Sequence, residues 1–526
     1  MLEKMTYQQR LILATVISAI LVLFYEIFVA PKPTVAEKNT STTIAKQQTT
    51  NSASVSNLIT PSTYSKAETV LPSAEIIARV KSEKFEIDID KYGRFSQVYL
   101  LEDKFKDANG QKQKLLSDLN AKPLEIRFSD PALNDSSHAI AYTANINEVA
   151  PDGKSELILT QTLKDIIITK KLVFNANGSY SLKLTMSRDA QYFITPGFSP
   201  TLGADKFAFN GSLAVTTEGK IKNFENTSHK SDETTPKSNI IASVDKYYSS
   251  VFYNFEIPVD AVVTSDKDKN PTAFIIANGN LNLNGYIGPK TVDTLKSIDP
   301  RLVEVVEYGM FTFMARPLFW ALEFIEKTVG NWGWAIVIFT ILVRLLLFPL
   351  TYKGMVSMNK LKELAPKLTE LKEKYKGDPQ KLNIHMMDLY RKHGANPMSG
   401  CLPMILQIPI FFAIYRVLLN AIELKGAGWI LWIHDLSLMD KYYVLPILMG
   451  ASMFIQQRIT PQNFTDPIQE KIFKYLPVVF TFFFLAFPAG LTLYWFVNNL
   501  LSIIQQYTVN KLMARTKRNA KVAESA

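Results

Sequence analysis

Arg344 stands about halfway along an apolar run that begins near Trp332 and reads Thr340-Ile-Leu-Val-Arg-Leu-Leu-Leu-Phe-Pro-Leu-Thr351. A cation at the centre of a lone membrane helix costs roughly 2.5 to 3.5 kcal/mol on insertion scales, so its retention calls for partners or water. Side chains of the right type recur elsewhere in the chain. Thr340 lies one turn before Arg344 on the same helical face, and Gln407 sits within a later apolar segment. In the last segment Thr492, Trp495, Asn499, Ser502 and Gln506 recur on one face. The chemistry such a set supports is electrostatic and solvating, because a fixed cation among neutral hydrogen-bonding groups can hold water and a polar or acidic chain at membrane depth. The competing use is interhelical hydrogen bonding that only holds a bundle together. Neutral amides alone satisfy a guanidinium poorly, which favours the wet reading. Arg416, near the outer end of its segment, can snorkel outward and is read as structural.

Bond chemistry finds no support. The sequence has no P-loop, no HExxH pattern, no GxSxG elbow and no zinc-ligand spacing. His138 and His229 lie in polar, loop-like surroundings without a carboxylate or cysteine constellation and are read as surface residues. The single cysteine, Cys401, excludes an intrachain disulfide framework. No catalytic residue, cofactor or metal is therefore expected, and the protein is not expected to be an enzyme. The net charge of +10 gathers at particular ends of the apolar segments, which points to anionic lipid and away from a nucleic-acid substrate.

The apolar residues that must position the polar set are concentrated at the N-terminus and in the last two hundred residues or so. Leu11 to Ala30 is longer than a signal-peptide core and is followed by Pro31, so residues 1–31 read as a retained transmembrane anchor. Residues 32–73 are rich in Ser, Thr, Gln, Lys and Asn and read as a disordered tether. Over 74–300 the pattern turns to period two, as in Lys84-Phe-Glu-Ile-Asp-Ile-Asp90, with a hairpin signal at Asn177-Gly178, which predicts one large β-sandwich. Residues 301–331 read as an interfacial amphipathic helix, with Leu318, Leu322, Ile325 and Val329 on its apolar face and Glu323, Glu326 and Lys327 on another.

Residues 332–513 follow with the run carrying Arg344, then Cys401 to about Ile422, Tyr443 to about Ile459, and Leu476 to about Val509, the last divided at Phe487-Pro-Ala-Gly490. With the anchor this makes six spans. A cytoplasmic helical hairpin over 353–396 is predicted, with Pro366 as a kink, Gly377 as a left-handed cap, Asp378 as N-cap and Pro379 at the first helical position. Lys and Arg crowd this hairpin and the basic tail 514–526, so both belong in the cytoplasm, both termini lie inside and the β domain lies outside.

The motifs Gly330-Asn-Trp-Gly333, Val343-Arg-Leu-Leu-Leu-Phe-Pro-Leu-Thr351, Asn396-Pro-Met-Ser-Gly-Cys-Leu-Pro403, Gln407-Ile-Pro-Ile-Phe411 and Phe487-Pro-Ala-Gly-Leu491 through Asn499 resemble, in unbroken order, the YidC/Oxa1/Alb3 family of membrane protein insertases. The anchor and β domain resemble the branch found in Gram-negative bacteria. The resemblance implies a membrane α-helical bundle of six transmembrane helices with a large periplasmic β-supersandwich domain, in the bacterial inner membrane. It implies a groove open to the cytoplasm and to lipid, with Arg344, Thr340, Gln407, Trp495 and Asn498 at matching positions beside Asn499 and Ser502. Trp495 and Asn498 stand where relatives often have Tyr and Ser, and Ala486 where some carry Trp.

The function so implied is that of an insertase and chaperone, acting alone or with the Sec translocon. Its expected partners are nascent membrane proteins, the Sec translocon, a ribosome or targeting receptor at the hairpin and tail, and anionic lipids. A secondary transporter is the main alternative, but internal repeats and membrane carboxylates for ion coupling are not evident in the sequence.

Overall fold

The computed structural model describes residues 75–106, 109–202, 208–229, 231–308, 311–393, 402–460 and 467–525. The predicted anchor, Leu11 to Ala30, and the tether 32–73 lie outside them. The described chain forms two units, a β unit ending at Glu307 and a helical unit starting at Tyr308.

Period-two patterning becomes strands in the β unit. Glu156–Thr162 buries Leu157, Leu159 and Gln161 alternately, and it pairs with Ile167–Phe174, which pairs in turn with Ser179–Met186. The turn between the last two holds Gly178 at φ 85°, a left-handed position that Gly adopts without Cβ strain. These strands belong to a 13-stranded sheet, while Phe95–Leu100, Phe85–Asp90, Ile76–Lys81 and Glu148–Val149 form a 4-stranded one. Phe95 of the smaller sheet packs against Phe174 and Tyr180 of the larger, with ring centroids 5.9 and 5.2 Å apart. Charge is buried at the same junction. Arg94 donates to Asp90 at 2.9 Å and to Glu125 at 3.0 Å, and the Lys170 amine donates to the carbonyls of Gly93 and Leu124 at 2.8 and 2.9 Å. Burial pushes the Lys170 amine down to about 7.

Two short helices complete this unit, α1 (Pro131–Ala139) and α2 (Val292–Ile298). His138, read from sequence as a surface loop residue, is in fact on α1. It is only partly exposed, and burial lowers its pKa. His229 is likewise half-buried, its ring edge-on to Phe224 at 5.3 Å. The residues after 300 do not yet begin the amphipathic helix. Pro300–Val305 is a 3₁₀ turn that buries Leu302 and Val305 within the β unit.

The helical unit opens with α3 (Thr312–Val329), closed by Gly330 at φ 71°. Its faces differ from the expected ones. Glu323 is buried, paired with Lys327 at 3.3 Å, while Phe313, Trp320 and Phe324 are exposed. The two apolar stripes on this helix compete for the bundle, and the Ala315, Phe319 and Leu322 face wins, carrying Glu323 inward beside it.

Helix α4 (Trp332–Lys374) starts at the Asn331 N-cap and runs unbroken for 43 residues, about 65 Å, through both Pro349 and Pro366. The predicted span and the first arm of the hairpin are therefore one continuous helix. Helix α5 (Pro379–Lys392) folds back on it, capped by Asp378, and Met386, Leu389 and Tyr390 pack on Leu361, Leu364 and Leu368. Gly377 is absent from the positive-φ glycines, so it does not act as the predicted left-handed cap; the helix ends instead at Tyr375 with φ −114°.

Helices α6 (Leu402–Asn420), α7 (Val444–Ile459), α8 (Pro467–Phe484) and α9 (Ala489–Ser525) follow the remaining apolar runs, with the predicted break at Phe487-Pro-Ala-Gly490. The last helix passes residue 513 without stopping and takes in most of the basic tail. Among the described residues, α4 alone has the length and composition to cross a membrane outright, while Gln407–Asn420, Val444–Ile459 and Phe473–Phe484 are apolar but shorter.

Candidate functional site

Helices α4 and α9 bring Arg344 against the polar face of the last segment. Arg344 is only 7% exposed. Its Nε donates to Asn498 Oδ1 at 2.7 Å and its Nη2 to the Asn498 carbonyl at 3.1 Å, while Nη2 also donates to Ser502 Oγ. Gln407 on α6 donates to the same Asn498 Oδ1 at 3.3 Å. One amide oxygen thus ties α4, α6 and α9 together. Among the described residues no carboxylate forms an ion pair with Arg344, and the partners it has there are neutral dipoles.

The other predicted residues divide. Asn499 is buried and donates to Ser452 Oγ of α7 at 3.1 Å, on the side of α9 next to the Arg344 node. Thr340 is buried one turn away, but its hydroxyl donates at 2.6 Å to the Ile336 carbonyl of its own helix and makes no hydrogen bond to the guanidinium. Trp495 sits in an aromatic cluster with Phe411 at 4.4 Å, Phe484 at 5.2 Å and Phe480 at 5.9 Å, giving the site an apolar flank. Arg344, Gln407, Asn498 and Ser502 are therefore one hydrogen-bonded group, with Asn499, Thr340 and Trp495 on its borders.

Two contributors escaped the sequence reading. Ser452 is one, and its signal was the small-residue run Gly450-Ala-Ser452, which lets helices approach closely. A Cβ on Gly450 would collide with the Thr481 side chain of α8. The second is the pair Asn359 and Asn510 farther along α4 and α9, where Asn359 and the already named Gln506 both donate to Asn510 Oδ1, at 2.8 and 2.9 Å. Asn498, Ser502, Gln506 and Asn510 succeed one another at four-residue steps.

The sequence model of the 60Kd inner membrane protein family matches residues 324–517, and that of the YidC periplasmic domain matches residues 78–321. The membrane protein insertase YidC of Campylobacter jejuni is 48% identical over 97% of this chain and 97% of its own length. That of Wolinella succinogenes is 49% identical over 98% of this chain and 97% of its own.

The chain belongs to the YidC family of membrane protein insertases.

A third YidC, from Helicobacter pylori, is 43% identical over 98% of this chain and 98% of its own. As a YidC protein, the chain is an inner-membrane insertase whose β unit is the periplasmic domain and whose clients are membrane proteins. The β-sandwich and the helical C-terminal region expected from sequence are both present.

Proposed function

We propose that Arg344, Thr340, Gln407, Trp495, Asn498, Asn499 and Ser502 line a hydrophilic groove that takes the polar segment of a nascent inner-membrane protein part-way across the bilayer. The observation that carries this is the buried Arg344 guanidinium, whose partners among the described residues are all neutral acceptors, which leaves a net positive charge available to an acidic chain. A cation needed only to hold helices together would be cheaper as a neutral side chain or as a partner of a carboxylate. The client's apolar helix then leaves sideways into lipid, where each buried CH₂ contributes about 0.8 kcal/mol, so partitioning drives the step without nucleotide hydrolysis.

In this reading α4, α6, α7, α8 and α9 are five spans forming the insertase core 332–513, and Leu11 to Ala30 is a sixth. The hairpin residues Lys360, Lys362, Lys367, Lys372, Lys374, Lys376 and Lys381 and the tail residues Arg515, Lys517 and Arg518 put both termini in the cytoplasm. Those surfaces would receive a ribosome or targeting receptor and anionic lipid, and the core would act alone or beside the Sec translocon. Photocrosslinkers at Gln407 and Trp495 in the intact protein test the groove. Ribosome-bound nascent chains should be captured at both positions, and capture only at lipid-facing positions such as Leu346 would overturn the assignment.

A further inference from the structure

Helix α7 is too short for the membrane it would cross. Its 16 residues rise about 24 Å, against about 30 Å of hydrocarbon. The shortfall sits beside a loop with an unusual surface. Before α7, Leu438 is 61% exposed, Met439 56% and Tyr442 59%, with Tyr443 exposed as well. These side chains run directly into Ile447 and Leu448 and then Phe454 and Ile455, the exposed apolar face of α7 itself. The patch is thus continuous with the lipid face of a span.

A loop can enter hydrocarbon only if its backbone polar groups are satisfied. Here several of them are, through Asp440 and the start of α9. Asp440 is 3% exposed, and its carboxylate accepts from the Tyr442 N–H at 3.0 Å, the Leu445 N–H at 2.7 Å and the Trp432 Nε1–H at 2.9 Å. Its carbonyl accepts the Tyr443 N–H at 3.0 Å, while the carbonyls of Leu438 and Leu436 accept the Ala489 and Gly490 N–H groups of α9 at 2.7 and 2.9 Å. Tyr443 is held at φ 57°, a left-handed position that L-residues adopt at a cost, and the residue is exposed. Lys441 places its amine 5.9 Å from the Tyr442 ring centroid, on a stem long enough to reach a headgroup phosphate from below.

We propose that Leu438–Tyr443 is a lipid-embedded wedge, occupying the glycerol and upper acyl level of the periplasmic leaflet and completing the hydrophobic length of α7. This rests on the multi-pass reading under Proposed function. The occupant is bilayer lipid, chosen because the patch prolongs a lipid-facing helix surface and carries the aromatic and lysine pattern of a membrane interface.

The test uses the full chain with Cys401→Ser, bearing one new cysteine at Leu438, Met439 or Tyr442, with Ile455→Cys as the mid-span control and Lys267→Cys in the β unit as the aqueous one. Each is labelled with NBD and reconstituted into phosphatidylethanolamine and phosphatidylglycerol vesicles, then quenched with iodide or with shallow and deep doxyl lipids. The wedge predicts iodide quenching roughly three-fold or more weaker at 438, 439 and 442 than at 267, with shallow doxyl the better quencher, as for side chains about 5–10 Å into the interface. Iodide quenching at those three positions equal to that at 267, with 455 protected, overturns the wedge and leaves a bilayer thinned around α7. If 455 is also open to iodide, the spanning assignment of α7 fails as well. Should one label prevent folding, the other two carry the same test.

Discussion

Replacing Asn498 by leucine removes the Oδ1 acceptor that Arg344 Nε reaches at 2.7 Å and Gln407 Nε2 at 3.3 Å. The Asn498 carbonyl and Ser502 Oγ remain, so the guanidinium is loosened and not stripped. Hydrogen bonds to charged groups contribute about 1.5–3 kcal/mol, while polar pairs between membrane helices average about 0.6 and reach about 1.7 kcal/mol. The coupling between Arg344 and Asn498 should therefore be about 1–2 kcal/mol. A double-mutant cycle with Arg344→Met and Asn498→Leu, read as equilibrium unfolding of the full chain in bicelles by steric trapping, measures it. Additivity within about 0.3–0.5 kcal/mol would refute the reasoning, since that is the behaviour of independent sites. Asn498→Asp separates structure from function. A carboxylate at this place should hold Arg344 at least as firmly while neutralising it, so stability should persist and insertion of acidic segments should fall.

Gly450→Val should push α7 away from Thr481 of α8, destabilising the helical unit by about 1–3 kcal/mol in the same unfolding assay, whereas Ala451→Val at an exposed neighbour should be nearly silent. The β unit should gain stability as pH rises from 7 toward 10. Burial holds Lys170 at about 7 and Lys122 at about 8, so the unfolded chain, with lysines near 10.4, binds more protons across that window. Urea unfolding followed by the β-sheet dichroism should show this, and Lys170→Met should flatten the slope; falling stability over the same window would contradict the assignment. Deleting about Glu83 to Thr264 while keeping the first apolar run should leave insertion largely intact at matched protein levels, and its abolition would remove the groove from the centre of the account.

Apolar run length carried most of the helical unit, because α6, α7 and the break before α9 follow directly from hydrophobicity and from Pro488 and Gly490. The strands at Phe85–Asp90 and around Gly178 were legible for the same local reason, that alternation and a positive-φ turn are encoded within a few residues. Partner choice between distant segments was not. That Arg344 meets Asn498 and Ser502 while Thr340 bonds its own helix depends on how α4 and α9 cross, which no single segment specifies. Nor was the burial of Glu323 legible, since α3 carries two apolar stripes and only packing decides which turns inward. The order of the 13-stranded sheet, where Glu233–Val244 pairs with Gly211–Thr216, Tyr248–Tyr253 and Val259–Ser265, is likewise a tertiary outcome.

The central claim is that the charge of Arg344 attracts the translocated segment. One client with zero, one or two acidic residues in its translocated tail should be inserted by wild type, Arg344→Lys, Arg344→Ala and Arg344→Glu at matched protein levels. Attraction predicts that Lys retains part of the rate, that Ala loses less than Glu, and that the loss in Arg344→Glu grows with each added acidic residue. An equal loss for neutral and acidic tails would contradict the account and assign Arg344 to holding the bundle together.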